Sequence, residues 1–200
     1  MSPRVSDADA ARTRAGIVRA AVTQASNDGL EAITIGRLAD DLGMSKAGVI
    51  GPFGSKEQLQ LDTLKQAIEM FTADVWEPAT RTESGLPRLE KIIDQWIAHL
   101  KGGTFPGGCF LTQTAAEFDG RPGPVRDATE DASRRWERVL ASEVRTAVDQ
   151  GDLPANTDPA QVAFEIAAIA QGTNQAIQLR REPEAPERGR RAMRRFIGLA

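Results

Sequence analysis

Residues 34–53 read TIGRLADDLGMSKAGVIGPF, two short helical patterns joined at a glycine. Thr34 has a hydroxyl able to accept a first-turn amide, and Ile35, Leu38, Ala39 and Leu42 then fall on one face, so a helix is expected after it. Gly43 breaks that helix. Ser45 reads as the cap of a second one, which must stop near Gly51-Pro52 because the residue before a proline avoids the α region. Ser55-Lys-Glu-Gln58 has the form of a capping box and opens a longer third helix. An apolar patch (Leu38, Ala39, Leu42), a bend without a bulky residue (Gly43) and an apolar anchor (Val49) are what a helix-turn-helix needs. In that arrangement the second helix lies in a DNA major groove, its first residues facing base edges and phosphates.

Outward from this stretch the chain keeps its helical punctuation. A helix over about 8–27 carries Ile17, Val18, Ala21, Val22 and Ala25 on one stripe and closes at Gly29. The helix after Ser55 runs through Leu59, Leu64, Ile68 and Phe71 to about Trp76, and Pro78 ends it. Further helices are expected over 87–100, 109–118, 124–150, 158–180 and 185–199, the fourth of these opened by Asp158-Pro-Ala-Gln161. Tyrosine is absent, and neither an alternating Val/Ile/Thr run nor an Asn-Gly hairpin signal occurs. The expectation is an all-α fold of about nine helices: a three-helix helix-turn-helix domain over 9–70 and a helical bundle over 71–200.

Composition bounds the function. With 40% hydrophobic and 26% charged residues the 200-residue chain has enough apolar material for a real core, and a net charge of −3 gives no global field for nucleic acid or membranes. The charge is uneven, however. Residues 1–60, Arg4 among them, balance to zero, 61–179 carry −7, and the arginine-rich 180–200 carry +4. Residues 1–14 lack the apolar stretch of a signal peptide, and the longest uncharged runs (102–116 and 166–179) are too short and polar to span a bilayer. A soluble cytoplasmic protein with no membrane partner is expected. Cys109, the single cysteine, excludes an internal disulfide and a cysteine-clustered metal site. No glycine-rich phosphate loop follows a strand, and one histidine with one cysteine is no dyad. Hence no catalytic residue, metal or cofactor is expected, and the chain does not read as an enzyme.

The stretch 17–64 resembles the amino-terminal domain of the tetracycline-repressor-like (TetR) family of bacterial regulators. The landmarks are Ala20-Ala21, Gly29, Thr34, Leu38-Ala39, Gly43-Met44-Ser45-Lys46 and Phe53-Gly-Ser-Lys-Glu57. Gly107-Gly-Cys-Phe110 and 117–125 (EFDGRPGPV) resemble segments in a subset of its carboxy-terminal domains. The resemblance implies a homodimer on a palindromic double-stranded operator, released by a small-molecule effector. It places Thr34, Ser45, Lys46 and Lys56 at phosphates and Ala47 and Gly48 at bases. The chain departs from the family pattern at Ile50, Gly51 and Pro52, where aromatic and Tyr or His side chains usually stand, and at Gln24 and Ala25, where bulky apolar ones do. What remains is a small reading surface, with methyl contact from Ala47 to thymine favoured over a bidentate base pair. Lys46 and Lys56 also fit as plain solvated lysines.

For the carboxy-terminal part the resemblance implies dimerisation and an effector pocket. Trp96, His99, Phe105, Phe110, Gln113, Trp136, Phe164 and Gln171 are the candidate liners, aromatics with polar groups nearby; ordinary core is the competing fate of each aromatic. Small residues over 158–180 (Ala160, Ala163, Ala167, Ala168, Ala170, Gly172) suit close helix approach, either within one subunit or with a symmetry mate. Cys109 reads as an inert buried thiol, and the terminal arginines, interleaved with Glu182, Glu184 and Glu187, as a solvated face. A second reading is a helical ligand- or protein-binding module whose DNA reader has decayed.

Overall fold

The structure, a computed structural model, describes residues 7–199; Arg4, the rest of the first six residues and the final alanine lie outside the described residues. Among the described residues there are nine helices and no strand. These are α1 (Asp7–Asp28), α2 (Ile35–Leu42), α3 (Lys46–Ile50), α4, α5 (Leu86–Leu100), α6 (Phe110–Phe118), α7 (Pro124–Asp149), α8 (Pro159–Gln178) and α9 (Ala185–Phe196). The fourth runs as Lys56–Phe71, then without a break through a π-helical turn, Thr72–Trp76, and a last α turn, Glu77–Ala79.

The expected caps form. Thr34 accepts from the Arg37 amide, Ser45 from Gly48, Ser55 from Gln58, and Asp158 from Ala160 and Gln161. The box at Ser55 is closed on one side only, because the Gln58 side chain reaches forward to Asp62 at 2.9 Å. Such caps matter most for the shortest helices. Burial of Leu38 in α2 stabilises it by about 2 kcal/mol, and helices under about 12 residues are marginal alone. Gly43 ends α2 at φ 61°, a left-handed conformation that a side chain resists, and turns the chain at once into the Ser45 cap.

Pro78 does not end α4 as expected. Proline has no N–H, and its ring needs the space of the carbonyl four residues back. The helix widens just ahead of it, the Glu77 amide reaching back five residues to Thr72, and so continues to residue 79. This π turn sets Asp74 within reach of α5 and the loop that follows it.

Two apolar cores result. One gathers Ile17, Val22, Leu38, Val49 and Leu59 of α1–α4 and is completed by Phe105, Phe110 and Phe118 from the α5–α6 loop and α6. The other holds Leu89, Ile93, Leu140, Val144, Ile166 and Met193 of α5, α7, α8 and α9. The amino end of α5 lacks a capping side chain of its own. Buried Glu143 of α7 takes that role, accepting from Ser84 Oγ (2.6 Å), the Gly85 amide (2.8 Å) and Arg88 Nη1 (2.9 Å). Part of the arginine-rich end is taken up by ion pairs, Arg190 with Asp94 at 3.1 Å, Arg194 with Glu90, and Arg188 with Glu184 at 3.0 Å, while Arg181, Arg191 and Arg195 stand exposed.

Candidate functional site

Thr34 caps α2, and Ser45 opens α3; Thr34, Ser45, Lys46 and Ala47 are exposed and Gly48 half-buried, with the Lys46 side chain lying beside Gly36 of α2. The Thr34 and Ser45 oxygens accept from their own helices' amides, leaving each O–H free to donate outward. Lys46 is exposed, and no ion pair is recorded for it among the described residues. Lys56 is committed within the chain, donating to the Glu31 carbonyl at 2.7 Å with the Glu31 carboxylate 3.8 Å away. α3 is only five residues long, and Gly51 follows as its carboxy-terminal cap. An arginine that sequence reasoning missed braces the turn beyond it. Arg14 of α1 donates to the Pro52 carbonyl and the Asp62 carboxylate, and its guanidinium lies 4.4 Å from the centre of the Phe53 ring. The departure at Gly51-Pro52 is thus held in one defined shape.

A cavity of about 790 Å³ opens between α4, α5, α6, α7 and α8. Six of the eight candidate liners are on its wall: Trp96, His99, Phe105, Phe110, Trp136 and Gln171. Phe164 is not, because it stands 61% exposed on the outer side of α8. Gln113 is not on the wall either; its amide lies beside Gly107 instead. Sequence reasoning missed Phe71 and Trp76, which complete an aromatic wall. Phe71 meets Trp136 edge-to-face at 5.1 Å and Trp96 at 5.9 Å, while Trp96 and Trp136 are 5.5 Å apart and Trp76 lies 6.5 Å from Trp136.

His99 is buried, in edge contact with both Phe71 and Phe105. Its Nδ1 is 3.1 Å from Asp74, and Thr104 donates to the same carboxylate oxygen. Burial lowers its pKa below the ordinary 6.5, and the hydrogen bond and charge of Asp74 work against that. In the neutral ring Nδ1–H donates to Asp74, leaving Nε2 an acceptor without a partner. Asn174 accepts from the buried Cys109 amide at 2.9 Å and so pins the start of α6 to α8.

Family models match both parts of the chain. Residues 17–62 match the one described as bacterial regulatory proteins, tetR family, and residues 85–193 the one described as tetracyclin repressor-like, C-terminal domain. The chain belongs to the TetR family. Solved structures repeat the TetR fold over nearly its whole length. A TetR transcriptional regulator from Chloroflexus aurantiacus superposes with a TM-score of 0.84 at 20% identity, covering 94% of this chain and 96% of that one. A protein from Saccharomonospora viridis in complex with choline gives 0.79 at 21%, with 94% and 96% covered. AibR, in complex with isovaleryl coenzyme A and operator DNA, gives 0.70 at 19%, with 94% and 97% covered. No curated protein sequence matches this TetR-family chain. Among its described residues no helix is long and apolar enough to cross a membrane, and no three His, Cys, Asp or Glu side chains gather as a metal site.

Proposed function

We propose that this TetR-family chain is a cytoplasmic, dimeric repressor that binds a palindromic DNA site and is released by a small apolar effector. The observation that carries the reading is the run of α4. Its first turn, capped by Ser55, closes the helix-turn-helix, and its last turns supply Phe71 and Trp76 to the aromatic cavity. A molecule in the cavity therefore touches the helix that positions the reader. Effector binding favours a conformer with α4 swung, in which two recognition helices no longer match successive major grooves about 34 Å apart. Relatives of the same fold solved with choline, or with isovaleryl coenzyme A and operator DNA, support the pairing of pocket and reader. The boundary between the two functional parts falls near residue 70, inside α4.

Thr34, Ser45 and Lys46 are the proposed phosphate contacts, joined by Lys56 when it leaves Glu31, with Ala47 and Gly48 facing the bases. Dimerisation is proposed through α8 and α9. Phe164 stands 61% exposed on α8 and Leu179, the residue that caps it, 73%, with Ala168 and Gly172 exposed between them, apolar surface that a second copy would cover. The five-residue α3 followed by Gly51-Pro52 favours the second reading, a binding module without a working reader. All three tryptophans, Trp76, Trp96 and Trp136, line the cavity, so intrinsic fluorescence reports occupancy. The test titrates candidate apolar ligands against the protein bound to labelled DNA that it has itself selected. Fluorescence change and DNA release on one curve support the repressor; fluorescence change in a protein that selects no DNA supports the binding module, and fluorescence change with DNA fully retained refutes release by that ligand.

A further inference from the structure

The wall of the cavity is tied to the reader at both of its ends. Residues 104–118 give the cavity Phe105, Cys109, Phe110, Leu111 and Ala115. At the start of this segment the Gly107 amide donates to Ser26 Oγ of α1 at 3.0 Å. The two backbones meet so closely that a Cβ on Gly107 would lie 1.6 Å from the Ser26 carbonyl oxygen. At the other end Glu117 accepts from the Leu30 amide at 2.8 Å and the Glu31 amide at 3.4 Å. Those two amides belong to the turn that leads from α1 into the Thr34 cap of α2. Gly29 leaves the room for the carboxylate, since a Cβ there would lie 1.8 Å from Glu117 Oε1. The turn is also gripped from α4, whose Gln60 donates to the Leu30 carbonyl at 3.1 Å and the Glu31 carboxylate at 2.9 Å.

We infer that Glu117 is the positioning residue through which occupancy of the cavity reaches the helix-turn-helix: a ligand that displaces α6 moves the Glu117 carboxylate and, with it, the 29–31 turn from which α2 starts. This rests on the effector-released reading and assigns its transmission to one side chain. The physical ground is the distance dependence of the tie. Apolar contacts slide with little loss, whereas a hydrogen bond from an amide to a carboxylate fades within about 0.5 Å of stretch. A small shift of α6 therefore either drags the turn or lets it go. Glu117 itself does not line the cavity, so it makes no direct contact with a ligand there.

The test uses full-length protein, a labelled fragment of the DNA it selects, and 1-aminoanthracene as a neutral apolar probe of the cavity. The measured quantity is the ratio of DNA dissociation constants with and without saturating probe. For the wild type a ratio of about 5 or more is expected, the lower end of allosteric coupling. Glu117→Ala still binds the probe, at least as tightly as the wild type, but its ratio falls towards one. Glu117→Gln, which keeps a carbonyl to accept from Leu30, retains most of the ratio. A Glu117→Ala variant with a lowered Tm and a wild-type ratio overturns the proposal and leaves Glu117 a mere support. So does a wild-type ratio of one with the probe bound, since a tied wall has then moved nothing. Failure of the probe, or of any apolar ligand, to bind refutes instead the effector pocket on which the proposal rests.

Discussion

Lys46 is the exposed lysine at the start of α3 with no ion pair recorded among the described residues, so its replacement isolates one phosphate contact per protomer. Association with DNA releases counterions, and the logarithm of affinity falls with the logarithm of salt by about 0.9 for each phosphate neutralised. A dimer carries two copies of Lys46, so Lys46→Ala is expected to reduce that slope by about 1.8. Between about 50 and about 200 mM salt the wild type then loses roughly twelvefold more affinity than the variant. The loss at low salt is spread evenly over DNA sequences, because a phosphate contact positions the protein without reading bases. Lys56→Ala serves as the comparison. Its ammonium already donates to the Glu31 carbonyl, so a smaller change in slope is expected. Fluorescence anisotropy with a labelled selected fragment, repeated along a salt series, gives both slopes. An unchanged slope for Lys46→Ala would remove the residue from the interface and with it the proposed placement of α3 against the phosphates.

Gln24 is buried in α1, and both polar atoms of its side-chain amide lack a partner. Gln24→Leu is expected to raise stability by about 1–3 kcal/mol in urea unfolding; a loss instead would mean the amide is satisfied in solution. Glu143→Ala strips the cap from α5 and takes the carboxylate from Arg88, whose other donors stay on the Thr82 carbonyl, lowering stability by about 3 kcal/mol, and a cost below about 1 kcal/mol would contradict the buried network. His99 has a pKa lowered in the fold by burial, so the unfolded chain takes up its proton first as pH falls. Stability from this residue is therefore constant above pH 6.5 and lost as pH drops below it. Tm of the wild type should fall more between about pH 7.5 and about pH 5 than that of His99→Gln; equal falls would place the ring in a wet site.

What was legible in the sequence was local. The caps at Thr34, Ser45, Ser55 and Asp158 and the break at Gly43 are chemistry between residues two to four apart, and each formed where the residues placed it. The cavity was legible only in part. Phe71 and Trp76 are five residues apart, about 140° around an α-helix, so no α-helical stripe puts them on one wall; the π turn before Pro78 does. Their pairing was hidden because a widened turn leaves no simple periodic mark, although a proline near the end of a long apolar helix was the available clue. Phe164 was misplaced for a complementary reason. An aromatic in a helix of small residues fits a core or an outer face equally well, and only the packing of α8 against α7 and α9 decides. Arg14 and Glu117 act across 38 and about 87 residues of chain, on a carbonyl and on backbone amides that one residue pattern does not reveal.

The central claim is that α2 and α3 form a working DNA reader despite Ile50, Gly51 and Pro52. Purified protein incubated with sheared genomic DNA from its source, with bound fragments recovered and sequenced at two salt concentrations, tests it most directly. The account predicts a recurring palindromic site, enriched at low salt and lost as salt rises. Uniform or absent recovery, persisting after any bound ligand has been stripped by unfolding and refolding, would contradict it and leave the binding module as the function of the fold.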